Sequence, residues 1–96
     1  MIVHIVFFKW KKEVSKEEIE NTLSQIKNLG NKIKGLKEII GGENFSEYSK
    51  GFTHAIVVFG ESRETLEEYR KHPEHISITK TIELMEEDST GFDFEA

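Results

Sequence analysis

Apolar side chains occupy both parities of the first ten residues. Val3, Ile5 and Phe7 share one face of an extended chain, and His4, Val6, Phe8 and Trp10 share the other, because successive strand side chains point to opposite sides. An antiparallel strand with one wet face alternates apolar with polar. This stretch does not, and it predicts a strand over 1–10 that is covered on both sides. Residues 52–59 repeat the pattern, with Phe52, His54, Ile56 and Val58 set against Thr53, Ala55, Val57 and Phe59. Between these strands, Ser15-Lys16-Glu17-Glu18 has the form of a capping box. Ile19, Leu23, Ile26 and Ile33 follow at near-helical spacing, so an amphipathic helix is expected, ended or weakened at Gly30. Residues 36–45 read as a strand interrupted at Gly41-Gly42, since paired glycines mark a bulge or a close backbone approach. The polar stretch 46–51 reads as a hairpin turn, with Gly51 free to take a positive φ.

The second half is mostly helical. Glu61-Ser62-Arg63-Glu64 opens a short helix that must stop before Pro73, which lacks an N–H and clashes with a preceding helical turn. Proline is welcome at the first position of a new helix, and a third helix over 74–87 places His75, Ile78, Ile82 and Met85 on one face. Phe92 and Phe94 point the same way in a terminal strand. The order strand, helix, strand, strand, helical pair, strand is the ferredoxin-like split pattern, a single α+β domain over 1–96. It predicts a four-stranded antiparallel sheet with its helices on one face. The opposite sheet face is then apolar and bare, too large a patch for a monomer. The economical cover is a second copy on a two-fold axis, giving a homodimer packed through its sheet faces.

Chemistry gathers in Tyr69-Arg70-Lys71-His72-Pro73-Glu74-His75. The helix break turns Tyr69 and His75 toward one cavity from two helix ends. A phenol and an imidazole in hydrogen-bond reach suit a general acid and base; equally, both rings suit a core with satisfied polar tips. The net charge of −5 argues against a duplex-wrapping nucleic-acid binder. The basic run Lys9-Trp10-Lys11-Lys12 is answered at once by Glu13, Glu17 and Glu18. The absence of cysteine removes disulfides and thiolate metal sites. Three imidazoles on one interior, those of His4, His54 and His75, would suggest zinc, but no carboxylate or cysteine spacing supports it, so neither metal nor cofactor is expected. No apolar run approaches membrane-spanning length and none reads as a signal peptide, which makes a cytoplasmic location the expectation.

The opening Met1–Trp10, the run Gly51-Phe52-Thr53-His54-Ala55, the Tyr69-x-x-His72-Pro73-x-His75 segment and the closing Phe92-Asp93-Phe94 resemble the stress-responsive A/B barrel (Dabb) domain family over nearly the whole chain. The resemblance implies a ferredoxin-like protomer whose sheet packs on a partner's sheet, a dimeric α+β barrel. It implies that even-numbered strand residues look at the helices, while Val3, Ile5, Phe7, Ala55, Val57 and Phe59 look at the partner. One plant branch of the family comprises polyketide cyclases, which close a linear tetraketide thioester by aldol condensation. Their catalytic Tyr and His fall on Tyr69 and His75, and their cavity histidines resemble His4 and His54. A first-helix tyrosine and a third-helix tryptophan of those enzymes correspond to Ile26 and Glu86 here, so the lining differs.

The sequence thus predicts a small-molecule pocket between sheet and helices. Tyr69 and His75 are its candidate catalytic pair; His4, Val6, Phe8, Leu23, Ile26, His54 and Ile56 are its candidate lining, for a small hydrophobic or phenolic ligand. One reading of the function is an acid–base enzyme of polyketide-cyclase type. The alternative is a non-catalytic, stress-associated binding module in which the same two rings are structural. A weaker reading rests on the dimeric barrel's likeness to cofactor-free monooxygenases, which moves no specific residue onto this chain.

Overall fold

The computed structural model describes residues 1–96. Its central strand is β1 (Ile2–Trp10), flanked by β3 (His54–Gly60) and β4 (Glu86–Glu95), with β2 (Leu36–Glu43) outside β3. The order is β2-β3-β1-β4 and every pairing is antiparallel. Three helices, α1 (Lys16–Asn28), α2 (Arg63–Lys71) and α3 (Pro73–Met85), complete the ferredoxin-like α+β protomer. No helix is long and apolar enough to cross a membrane.

The capping box starts α1: the Ser15 hydroxyl accepts from the Glu18 N–H at 3.1 Å, and the Glu18 carboxylate accepts from the Ser15 N–H at 3.3 Å. These bonds satisfy donors that the first helical turn would otherwise leave open. The helix stops at Asn28 and tightens into a short 3-10 turn, Leu29–Asn31, that contains Gly30. Leu29 is fully buried there, and Ile33 reaches the core from beyond the helix. Ile19, Leu23 and Ile26 of α1, Leu66 and Tyr69 of α2, and Ile78, Ile82 and Met85 of α3 form one core with Phe8, Ile39, Ile56 and Val58 of the sheet. This is the even-numbered face of β1 and β3. The opposite face carries no helix and leaves Phe7, Ile40, Phe92 and Phe94 exposed.

Some boundaries differ from the sequence reading. β2 runs unbroken through Gly41 and Gly42, and its register shift lies between Leu36 and Glu38 instead. The glycine pair marks a close approach rather than a bulge: a methyl placed on Gly41 would lie 2.5 Å from the Ala55 carbonyl oxygen and 2.7 Å from Ile56 Cδ1. β3 begins at His54, and Thr53 just before it donates its N–H to the Phe8 carbonyl at 2.9 Å. Gly51 takes the expected positive φ, +87°. β4 is ten residues long and begins at Glu86, where the backbone turns extended directly after α3.

Gly41→Ala is therefore expected to destabilise the fold by about 1–3 kcal/mol, the usual cost of overpacking against backbone that cannot yield. Urea unfolding checks this, and an unchanged midpoint would remove the close approach from the account.

Candidate functional site

α2 ends because Pro73 cannot extend it, and the junction is a single residue. His72 is extended (φ −60°, ψ 132°), closes α2 and caps α3, its Nδ1 accepting from the Glu74 N–H at 3.1 Å. Pro73 occupies the first turn of α3, where no N–H is required. Tyr69 lies in the last turn of α2 and His75 in the first turn of α3, with their ring centroids 4.3 Å apart.

Both rings border a cavity of about 350 Å³ between the sheet's covered face and α3. His4, Val6 and Phe8 of β1, Ile56 of β3, Ile26 of α1 and Ile82 of α3 supply much of its wall. Two residues of the sequence-predicted lining are elsewhere. Leu23 is buried in the core one turn away from the cavity. His54 shares the face of His4 but lies at the far end of the strand pair, opposite Phe8, where its Nδ1 accepts from the Trp10 indole N–H at 3.0 Å. The imidazoles of His4, His54 and His75 thus do not share one interior, and no three His, Cys, Asp or Glu side chains converge as a metal would require.

The hydrogen bonds fix how the polar groups can act. Only a proton on His75 Nδ1 can bond the Arg70 carbonyl, 3.2 Å away, which leaves Nε2 with its lone pair. Burial is the main reason the His75 imidazole sits below its usual pKa; the Arg70 carbonyl opposes this without reversing it. Burial also pushes the Tyr69 phenol up to about 12, against a small opposing effect of Arg70. Tyr69 is only 2% exposed, yet its hydroxyl bonds no group of the chain. Since no side-chain oxygen is sealed away without a partner, that hydroxyl opens to the cavity. Near neutral pH the phenol therefore keeps its proton while the imidazole keeps its lone pair.

Three residues that the sequence reading left without a role organise one wall. Asp93 lies directly across from His4 in the β1–β4 register. Its Oδ1 is 2.5 Å from His4 Nδ1, and its Oδ2 accepts from Arg70 at 2.7 Å. Arg70 also donates to Glu67 at 3.2 Å. Burial alone would raise the Asp93 carboxyl, but the bonds from His4 and Arg70 outweigh it and hold it below the usual range. The only sequence signal for this was a charged residue between two phenylalanines. Thr79, Glu83, Glu86 and Ser89 complete the mouth. A larger hollow, about 500 Å³, lies on the open sheet face among Phe7, Ile40, Phe52 and Val57.

A ferredoxin-like protomer with a phenol, two oriented imidazoles and a largely apolar cavity beneath its helices defines the class. The chain belongs to the Stress responsive A/B Barrel Domain family, whose model matches residues 2–96. It is similar to olivetolic acid cyclase of Cannabis sativa, 28% identical over 95 residues that cover 97% of this chain and 94% of the relative. A crystal structure of an Arabidopsis thaliana protein superposes with a TM-score of 0.91 at 26% identity, covering 100% of this chain and 95% of that one. A dimeric protein of unknown function and ferredoxin-like fold from Bacteroides fragilis matches with a TM-score of 0.77 at 25% identity, covering 99% and 95%.

His54, like His75, is held below the ordinary imidazole value of 6.5, chiefly by burial. Between 6.5 and these lowered values the unfolded chain binds more protons than the folded one, so stability rises with pH there. The contribution is complete above 6.5 and is lost as pH falls toward the folded values. Calorimetry is expected to show the melting temperature falling as pH is lowered below about 6.5, and falling less in His54→Gln.

Proposed function

We propose that this protein is a homodimeric acid–base catalyst acting on small carbonyl compounds with an acidic C–H, in the manner of a polyketide cyclase. The observation that carries the reading is the Tyr69–His75 pair. Two rings 4.3 Å apart border one cavity, one with a free hydroxyl and the other with a free Nε2. Burial pushes their proton affinities apart, the pattern by which acid and base roles divide.

In this reading His75 Nε2 takes a proton from a carbon flanked by carbonyls. The Tyr69 hydroxyl donates a hydrogen bond to the carbonyl oxygen as it gains negative charge. The carbanion attacks a second carbonyl of the same molecule, the new C–C bond forms, and that oxygen takes the proton back from the imidazolium. The apolar wall of Val6, Phe8, Ile26, Ile56 and Ile82 holds the chain folded and excludes water. The His4–Asp93–Arg70 bonds keep the opposite wall in place. The similarity to a cyclase over nearly the full chain supports the reaction class.

The dimer follows from the bare sheet face. Phe92 is 64% exposed, and Phe7, Ile40 and Phe94 are exposed on the same face. Each such side chain contributes roughly 1.5–3 kcal/mol when fully buried, and a second copy related by a two-fold axis covers all of them at once. The dimeric fold neighbour from Bacteroides fragilis supports this assembly.

Two experiments bear on the reading. Light scattering at micromolar concentration is expected to give a dimer mass, and Val57→Asp to split or unfold the dimer by placing an unpaired carboxylate in an apolar seam; a well-folded monomeric parent would sink the assembly. Against a panel of poly-β-keto esters and thioesters, Tyr69→Phe and His75→Gln are each expected to lower turnover by a factor of about 10²–10⁴. Tyr69→Phe should melt close to the parent, since its hydroxyl bonds nothing in the chain. If the parent turns nothing over and both variants lose more than about 1 kcal/mol of stability, the rings are structural.

A further inference from the structure

The charges around the cavity do not cancel. Arg70 is its one permanent cation, and the guanidinium is bound by both Asp93 and Glu67, at 2.7 and 3.2 Å. His4 is tied to the Asp93 carboxylate as well. At the mouth, Glu83 and Glu86 make no ion pair with any cation of the chain. The remaining polar groups near them are neutral: Thr79 commits its hydroxyl to the His75 carbonyl at 2.8 Å, and the Ser89 hydroxyl bonds nothing in the chain. A ligand entering past α3 therefore meets two uncompensated carboxylates before it reaches the apolar wall, with no free cation inside to repay an anion for its lost hydration.

We infer that the cavity selects uncharged, oxygen-bearing small molecules and turns away carboxylates and phosphate esters, with Glu83 and Glu86 as the specificity-determining residues. This rests on the reading of the cavity as a substrate site, and it narrows the substrate class to carbonyl or phenolic compounds whose acidic groups are esterified or absent. A full charge at the mouth interacts with the rim across partly solvated space, where two like charges weaken binding by about tenfold at low salt and much less at high salt.

The test uses the full-length protein and a matched pair of probes, 4-butylphenol and 4-butylbenzoate, titrated calorimetrically near neutral pH. The phenol is expected to bind at least about tenfold more tightly at low ionic strength. The ratio should shrink when salt is raised to about 0.5 M, and shrink likewise in the double variant Glu83→Gln, Glu86→Gln. The double variant Glu17→Gln, Glu20→Gln, which removes two charges from exposed positions of α1 outside the cavity lining, should leave the ratio unchanged. The salt titration of the parent decides the matter even if the double variant fails to fold. Equal affinities for the two probes, or tighter binding of the benzoate, would overturn the selectivity while leaving the cavity as a ligand site. Binding of neither probe would bring down the substrate-site reading and this inference with it.

Discussion

The geometry of the site depends on the missing N–H of one proline. Pro73 cannot continue α2, and it can begin α3 at once. The chain spends a single extended residue, His72, between the two helices. A longer connection would let α3 drift from α2, and no break would set Tyr69 and His75 along one straight helix. With the sharp corner, the end of one helix and the start of the next face each other across about one ring thickness. The Arg70 carbonyl, freed from helical bonding by that corner, becomes the acceptor that orients His75. One covalent constraint thus sets a distance, a tautomer and the direction of a lone pair.

Much of this was legible in the sequence, because the signals were local. The capping box, the period of the apolar residues in α1, the two-faced strands and the proline corner each involve residues a few positions apart. The site was legible only where local pattern met strand parity. Parity grouped His4, Val6, Phe8 and Ile56 on one face, the family resemblance turned that face toward the helices, and these four line the cavity. Parity alone also recruited His54, because it says which side a residue faces and nothing of how far along the strand it lies. Register decides that, and register places His54 opposite Phe8 while Val58 is opposite His4. Asp93 and Arg70 were silent for the same reason: their meeting with His4 needs the β1–β4 register and the position of α2 above it. The glycine pair shows the converse, since composition gave the tight contact at Gly41 but not the continuity of the strand.

The two sheet faces divide the work of the protomer. One face builds the core and the walls of the cavity. The other, apolar and bare, holds the fold's appetite for a partner. The strand β1 belongs to both, alternating residue by residue between the cavity and the open side. A substitution in this strand is therefore felt on whichever side its parity dictates, and shifting its register by one residue would exchange the two roles entirely.

Trp10 closes that same strand. It is the only tryptophan of the chain, stacked on Phe8 with ring centroids 4.9 Å apart and planes 13° from parallel. Phe8 is a wall of the cavity, and the indole N–H is bonded to His54. The molecule therefore carries a built-in optical reporter. Excited beyond the absorption of Tyr48 and Tyr69, its emission comes from a single indole, one aromatic contact away from the cavity and one hydrogen bond away from an imidazole that resists protonation. A change at either neighbour, Phe8 or His54, would reach that one fluorophore by a separate route and without any label.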